Sequence, residues 1–152
     1  WLGLVGSEMC IRDRYYVSMG GFDTHANQEN RQKKLLKTYS ESIEVFINDL
    51  KQNDTFKDTL VITFSEFGRR LQQNAAGGTD HGAANNVFII GENLKTKGFY
   101  NDAPNLLNLD SNGDLIHSVD FRSIYATVLD TWLQVDDEAI LNKSYNKLNF
   151  IG

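Results

Sequence analysis

Apolar positions in residues 27–52 recur at steps of three and four, with Leu35, Leu36, Tyr39, Ile43, Phe46, Ile47 and Leu50 on one side and lysines and glutamates on the other. That spacing predicts one long amphipathic helix whose polar side is simply solvated. Residues 15–19 (YYVSM), ended by Gly20 and Gly21, predict a short buried strand before it. Residues 59–64 (TLVITF) form a β-branched and aromatic run, as expected of a strand buried on both faces. Strand, helix and strand in this order predict a βαβ unit with parallel strands and a right-handed crossover.

Further along, residues 65–85 (SEFGRRLQQNAAGGTDHGAAN) read as a long polar loop, and loops of that length in compact domains are usually functional or disordered. Residues 86–90 (NVFII) predict a third strand, closed by Gly91. Residues 92–118 predict a small β-hairpin excursion around the turn Asp110-Ser111-Asn112-Gly113-Asp114. A second helix is predicted over 119–133, with Ile124, Tyr125, Val128, Leu129 and Trp132 facing inward and Asp120 in its first turn, where a carboxylate suits the helix dipole. From Gln134 the tail predicts an irregular wrap ending in the apolar LNFI.

The length of 152 residues suits one compact domain, and 41% hydrophobic with 23% charged residues is ordinary for a globular chain. A net charge of −5 with no basic stripe argues against nucleic acid as a partner, and no apolar run is long enough for a membrane span. One cysteine, Cys10, excludes an internal disulfide framework and leaves the redox compartment open. Residues 1–14 (WLGLVGSEMCIRDR) begin without methionine and lack periodicity beyond WLGLV. Their VGSEMCIRDR stretch resembles a translated sequencing adapter; the plain alternative is a native strand and loop. On the first reading residues 1–14 are non-native, Cys10 with them, and residues 15–152 are one domain cut upstream.

Placing the polar residues on these elements suggests a site. In open α/β sheets ligands bind beyond the carboxyl ends of parallel strands. Asp23 and His25 follow the first predicted strand and Glu66 the second, while Asp80 and His81 precede the third, whose start shares that edge if it runs antiparallel. Carboxylates and imidazoles without thiols suit zinc, manganese or iron, and crowded carboxylates call for a cation or a basic partner. Arg69 or Arg70 has the fork geometry to clamp an anionic substrate oxygen. Each residue also has a plainer role: Asp23 as an N-cap of the long helix, His25 as a surface residue, Glu66 as an ion-pair partner of Arg69, and residues 77–80 as a turn. Asp110, Asn112 and Asp114 are spaced like a calcium loop, but the misplaced Gly113 and the lack of a closing glutamate favour a hairpin turn. Neither Ser18 nor Ser65 has a nucleophile-elbow context.

The stretches MGGFDTHANQ (19–28), TFSEFGRR (63–70), GGTDHGAANNVFIIG (77–91) and VDFRSIYATVLDTWL (119–133) resemble the family called domain of unknown function 1501, within the alkaline-phosphatase-like or sulfatase-like superfamily. The resemblance spans nearly all of residues 15–152. It implies a three-layer α/β/α sandwich with a mostly parallel sheet, of which this chain would be the C-terminal part. It also implies one or two divalent metals, zinc or manganese, with Asp23, His25 and His81 as ligands of one. Where similar phosphomutases carry Asp-His, this chain has Glu66-Phe67, so Glu66 is the one candidate for a second metal, and Asp80 serves as a further ligand or orients its neighbour. The implied substrate is a small anionic phosphate or sulfate ester, and the implied parent protein is exported to the periplasm or cell surface. Because that superfamily takes its nucleophile from upstream, the isolated chain is expected to be inactive. The alternative is a non-catalytic, exported binding or surface-assembly domain on a hydrolase-like fold. A metal-free structural domain would leave His25 and His81 well beyond ~10 Å apart, since metal–nitrogen bonds are near 2 Å.

Overall fold

The computed structural model describes residues 13–152; residues 1–12, which hold most of the adapter-like stretch and Cys10, lie outside the described residues. The elements in order are α1 (Gln28–Gln52), a 3-10 turn (Phe56–Asp58), β1 (Val61–Thr63), β2 (Gly68–Gln73), β3 (Thr79–Gly82), β4 (Phe88–Ile90), α2 (Phe121–Thr127), a π turn (Val128–Trp132) and α3 (Asp137–Leu141).

Helix α1 forms where its periodicity places it. Its half-buried positions Leu35, Tyr39, Ile43, Ile47 and Leu50 keep the three-and-four spacing. The stripe is narrower than predicted, because Leu36 and Phe46 are 52% and 45% exposed. Tyr39 joins the helix to the sheet: its hydroxyl lies 2.9 Å from Thr63 Oγ1, and its ring centroid 6.2 Å from that of Phe88.

β1 and β4 pair antiparallel, with Val61 opposite Ile90, Ile62 opposite Ile89 and Thr63 opposite Phe88. Opposed residues share a face, so Thr63 and Phe88 meet α1 while Ile89 turns to the other side. There Leu60, Val87 and Ile89 pack against the buried Ile124, Phe150 and Ile151. The predicted apolar tail is thus part of the core. It is docked by Thr127, fully buried, whose Oγ1 donates to Ser123 O at 2.7 Å and accepts from Leu148 N at 2.7 Å. Arg70 of β2 faces the half-turn at Asp114, with Nε 3.2 Å from Oδ1.

Several expectations are corrected. The chain is not a three-layer α/β/α sandwich with a parallel sheet: its strands form two separate antiparallel pairs, β1 with β4 and β2 with β3. Residues 15–19 are irregular and exposed, Tyr15, Tyr16 and Val17 at 75%, 81% and 89%. A strand needs a neighbour to satisfy its backbone, and among the described residues β1 takes β4 as its partner, so no βαβ unit forms. The predicted 65–85 loop contains the β2–β3 hairpin, with Gly68 opposite Gly82, Arg69 opposite His81, Gln73 opposite Thr79, and an irregularity between Arg69 and Gln73. Its strands carry few apolar residues, so no alternation announced them.

The third strand, the 110–114 turn and the second helix form with adjusted bounds. The third strand is antiparallel, the condition under which its start would reach the candidate site. A bridge between Leu109 and Leu115 closes the 110–114 turn, and Asp110 Oδ1 accepts from Asn112 N at 2.8 Å and Asp114 N at 2.9 Å. Those backbone bonds hold the Asp110 carboxyl below its ordinary range. The second helix runs as α2 into the π turn, marked by Leu133 N donating to Val128 O at 2.9 Å.

Asp120 is the N-cap of α2, accepting from Arg122 N at 2.9 Å while its carboxylate takes a forked pair of bonds from the Arg122 guanidinium at 2.9 and 2.6 Å. The Arg122 side chain, then its backbone N–H, hold the Asp120 carboxyl down from 3.8 to about 2, and the nearby His117 adds to this. A depressed carboxyl stabilises the fold above its unfolded pKa, and that contribution fades as pH falls through the folded value. Asp120→Ala should therefore cost about 1 kcal/mol at neutral pH, a typical N-cap loss. Its difference from wild type should shrink between the ordinary 3.8 and about 2. Asp120→Asn should keep most of the cap and lose that pH dependence, which urea denaturation across the acid range would show.

Candidate metal centre

The loop before α1 and the β2–β3 hairpin build the site together. At the hairpin tip, Gly77 bridges antiparallel to Ala26, and Gly78 lies so close to the loop that an added Cβ would stand 2.2 Å from the carbonyl carbon of His25. Asn27 N donates to Ala76 O at 3.1 Å and Gln28 N to Gly77 O at 2.9 Å. Thr79 Oγ1 donates to Gln28 Oε1 at 2.8 Å, and Gln32 Nε2 donates at 3.1 Å to Oγ1 of the buried Thr24. Thus Asp23 and His25 flank a threonine fixed from α1, and the plainer role of Asp23 falls away: the N-cap of α1 is Asn27, in left-handed backbone, with no side-chain cap bond.

On this frame His25 Nε2 and His81 Nε2 each lie 2.9 Å from Asp23 Oδ1, and 3.2 Å from each other. A tetrahedral zinc site with bonds of about 2.1 Å has ligand atoms about 3.4 Å apart. The observed triangle needs only a small expansion to match. Behind it, His25 Nδ1 lies 3.4 Å from Asp80 Oδ1. A carboxylate only accepts, so Asp80 takes the proton of neutral His25 in the Nδ1–H tautomer, which leaves the Nε2 lone pair facing Asp23 and His81. His81 Nε2 carries at most one proton for two neighbours. In that tautomer a neutral pair of imidazoles leaves His25 Nε2 opposing a carboxylate oxygen, a repulsion that a cation among the three removes. The donor set fits a divalent metal.

Charge and packing support the same geometry. The hydrogen bond from His81 holds the Asp23 carboxyl below its ordinary range, helped by His25 and Arg69. Asp80 is likewise held down, first by Asn74 and then by His25. Phe67 lies flat on the His81 ring, centroids 3.7 Å apart and planes at 8°. Side chains of Asp23, His25 and His81 remain about half exposed, so one side of the triangle is open to solvent.

The residues named from sequence are now sorted by position. Asp23, His25 and His81 have ligand atoms within 4.8 Å of one another. Asp80 stands one shell out, against His25 rather than against its neighbour His81. Glu66 is exposed and outside that group. Arg69 is occupied within the protein: Nη1 donates to Thr79 O at 2.6 Å, and Nη2 faces Phe22 O at 2.5 Å and Asp23 Oδ1 at 3.3 Å. The sequence marks Phe67 only as a departure from the resemblance, and Asn74 not at all. Asparagine ahead of Ala75-Ala76-Gly77-Gly78 is a turn signal that could have marked the second.

A family model described as protein of unknown function (DUF1501) matches residues 13–143. The chain belongs to that family. No curated protein and no solved structure was found to match this DUF1501 chain. Among the described residues, none of its helices is long and apolar enough to cross a membrane.

Gly78 gives a direct test of the frame. Gly78→Ala should push the hairpin off the His25 loop and cost about 1–3 kcal/mol, the usual range for overpacking. Gly20→Ala, where a Cβ would meet nothing within 4 Å, should be near neutral. Urea denaturation of the two variants makes the comparison.

Proposed function

We propose that Asp23, His25 and His81 hold one divalent cation, zinc or manganese, and that the protein is a metal-dependent hydrolase of a small anionic phosphate or sulfate ester. The observation that carries this reading is the convergence of three ligand atoms within 4.8 Å, from a loop and a strand more than fifty residues apart. Three protein ligands with solvent beside them is the ligand count of catalytic rather than closed structural zinc sites. A cation there supplies acidity to bound water and offsets charge on the ester. Asp80 keeps the His25 lone pair turned inward, Phe67 fixes the plane of His81, and Arg69 holds the Asp23 loop to the hairpin. With Glu66 outside the triangle, the reading is for one metal.

Phe67 favours a second reading, a non-catalytic exported binding or surface-assembly domain. The resemblance places a histidine ligand where this chain has a ring stacked on His81.

Titration with zinc chloride, and separately with manganese chloride, is expected to show one equivalent bound and a higher melting temperature on saturation. Asp23→Ala and His81→Ala should each weaken binding by more than about 100-fold, since outer partners alone are worth about 10–100-fold. Failure to bind either ion, with melting unchanged by a chelator, sinks the metal reading. Turnover of a phosphate or sulfate ester by the protein, lost on chelation, would separate hydrolase from binding domain.

A further inference from the structure

The geometry points to Asn74 as the positioning residue of this centre, the group that sets the orientation of His25 through Asp80; this rests on the metal reading above. Asn74 follows β2, and its side-chain amide uses its full capacity of two donors and two lone pairs. Nδ2 donates to His25 O at 2.9 Å and to Asp80 Oδ1 at 3.3 Å. Oδ1 accepts from Ala76 N and Gly78 N, each at 3.0 Å. One half of the amide thus shapes the turn, and the other half faces the site.

The site-facing half grips His25 at two points. It holds the His25 carbonyl directly. It also holds Asp80 Oδ1, the same oxygen that faces His25 Nδ1 at 3.4 Å. The His25 side chain is 49% exposed, so packing alone does not fix its ring, and a hydrogen-bonded partner must. Asn74 therefore ties the backbone of His25 to the carboxylate that selects its tautomer.

The two halves can be separated by one isosteric change. In Asn74→Asp the acceptor that holds Ala76 N and Gly78 N remains, and the turn is kept. The donor half becomes a second oxygen facing the His25 carbonyl and the Asp80 carboxylate, and both contacts become repulsive. Metal-free Asn74→Asp should unfold cooperatively like wild type. Its zinc affinity, measured by competition with a chromophoric chelator, should fall about 10–100-fold, as for lost outer-shell partners. Long-range proton–nitrogen NMR of the metal-free protein should show wild-type His25 as the Nδ1–H tautomer and the variant as a mixture.

Unchanged affinity and an unchanged tautomer overturn the proposal. A fall in affinity with the tautomer intact also overturns it, assigning the effect to the turn. If wild type binds no zinc, the metal reading fails and the tautomer comparison alone decides: altered supports Asn74 as the positioning residue, unchanged refutes it. Should Asn74→Asp not fold, Asp80→Asn carries the test, with the same fall and tautomer change expected and their absence overturning it.

Discussion

Gln28 N donates to Gly77 O, and Asn27 N to Ala76 O, at 2.9 and 3.1 Å. These two bonds supply what a capping side chain would, since the first amides of a helix have no partner within it and Asn27 makes no side-chain cap. The hairpin tip is thus the cap of the longest helix. It reaches there because Gly78 carries no Cβ, where one would stand 2.2 Å from the His25 backbone. The same approach sets Asp23 and His25 beside His81. Helix start, turn and site are one constraint, and moving any of them moves the others.

That end of the molecule is held differently from the other. Ile124, Phe150 and Ile151 form a core between the β1–β4 ladder, α2 and the C-terminal segment, where apolar burial dominates. The hairpin and the loop before α1 carry little apolar area and are joined by directed hydrogen bonds and charge. Arg69 bonds both Phe22 O and Thr79 O, and Gln32 secures the buried Thr24. Hydrogen bonds specify direction where burial does not, which suits a place where three polar side chains converge. Exposure of Asp23, His25 and His81 keeps that centre open to water and to a small solute.

Local elements were legible where local periodicity is strong. The three-and-four stripe of α1 is a property of one turn of helix against the next, so the sequence shows it and Tyr39 lands on the sheet. The 110–114 turn was legible for the same reason, because Asp110 bonds its own neighbours. Residues 15–19 have strand composition without a strand, since composition does not supply the adjacent backbone that a ladder requires. The β2–β3 hairpin was hidden because GRRLQQ and TDHG have no apolar face to alternate. Its pairing is decided by contacts with the loop and α1.

From sequence alone came the chemistry of the site: which carboxylates and imidazoles the chain carries, in motifs now matched to the DUF1501 family, and the helix and turns that follow from neighbours a few residues apart. Tertiary structure decided which of them meet. It paired β1 with β4 rather than in parallel with residues 15–19, brought His25 within 3.2 Å of His81, turned Asp80 onto His25 and left Glu66 outside. The physical reason is range. Periodicity and turn chemistry act within a few residues, whereas ligand convergence depends on a backbone approach between segments more than fifty residues apart, and no local pattern records that distance.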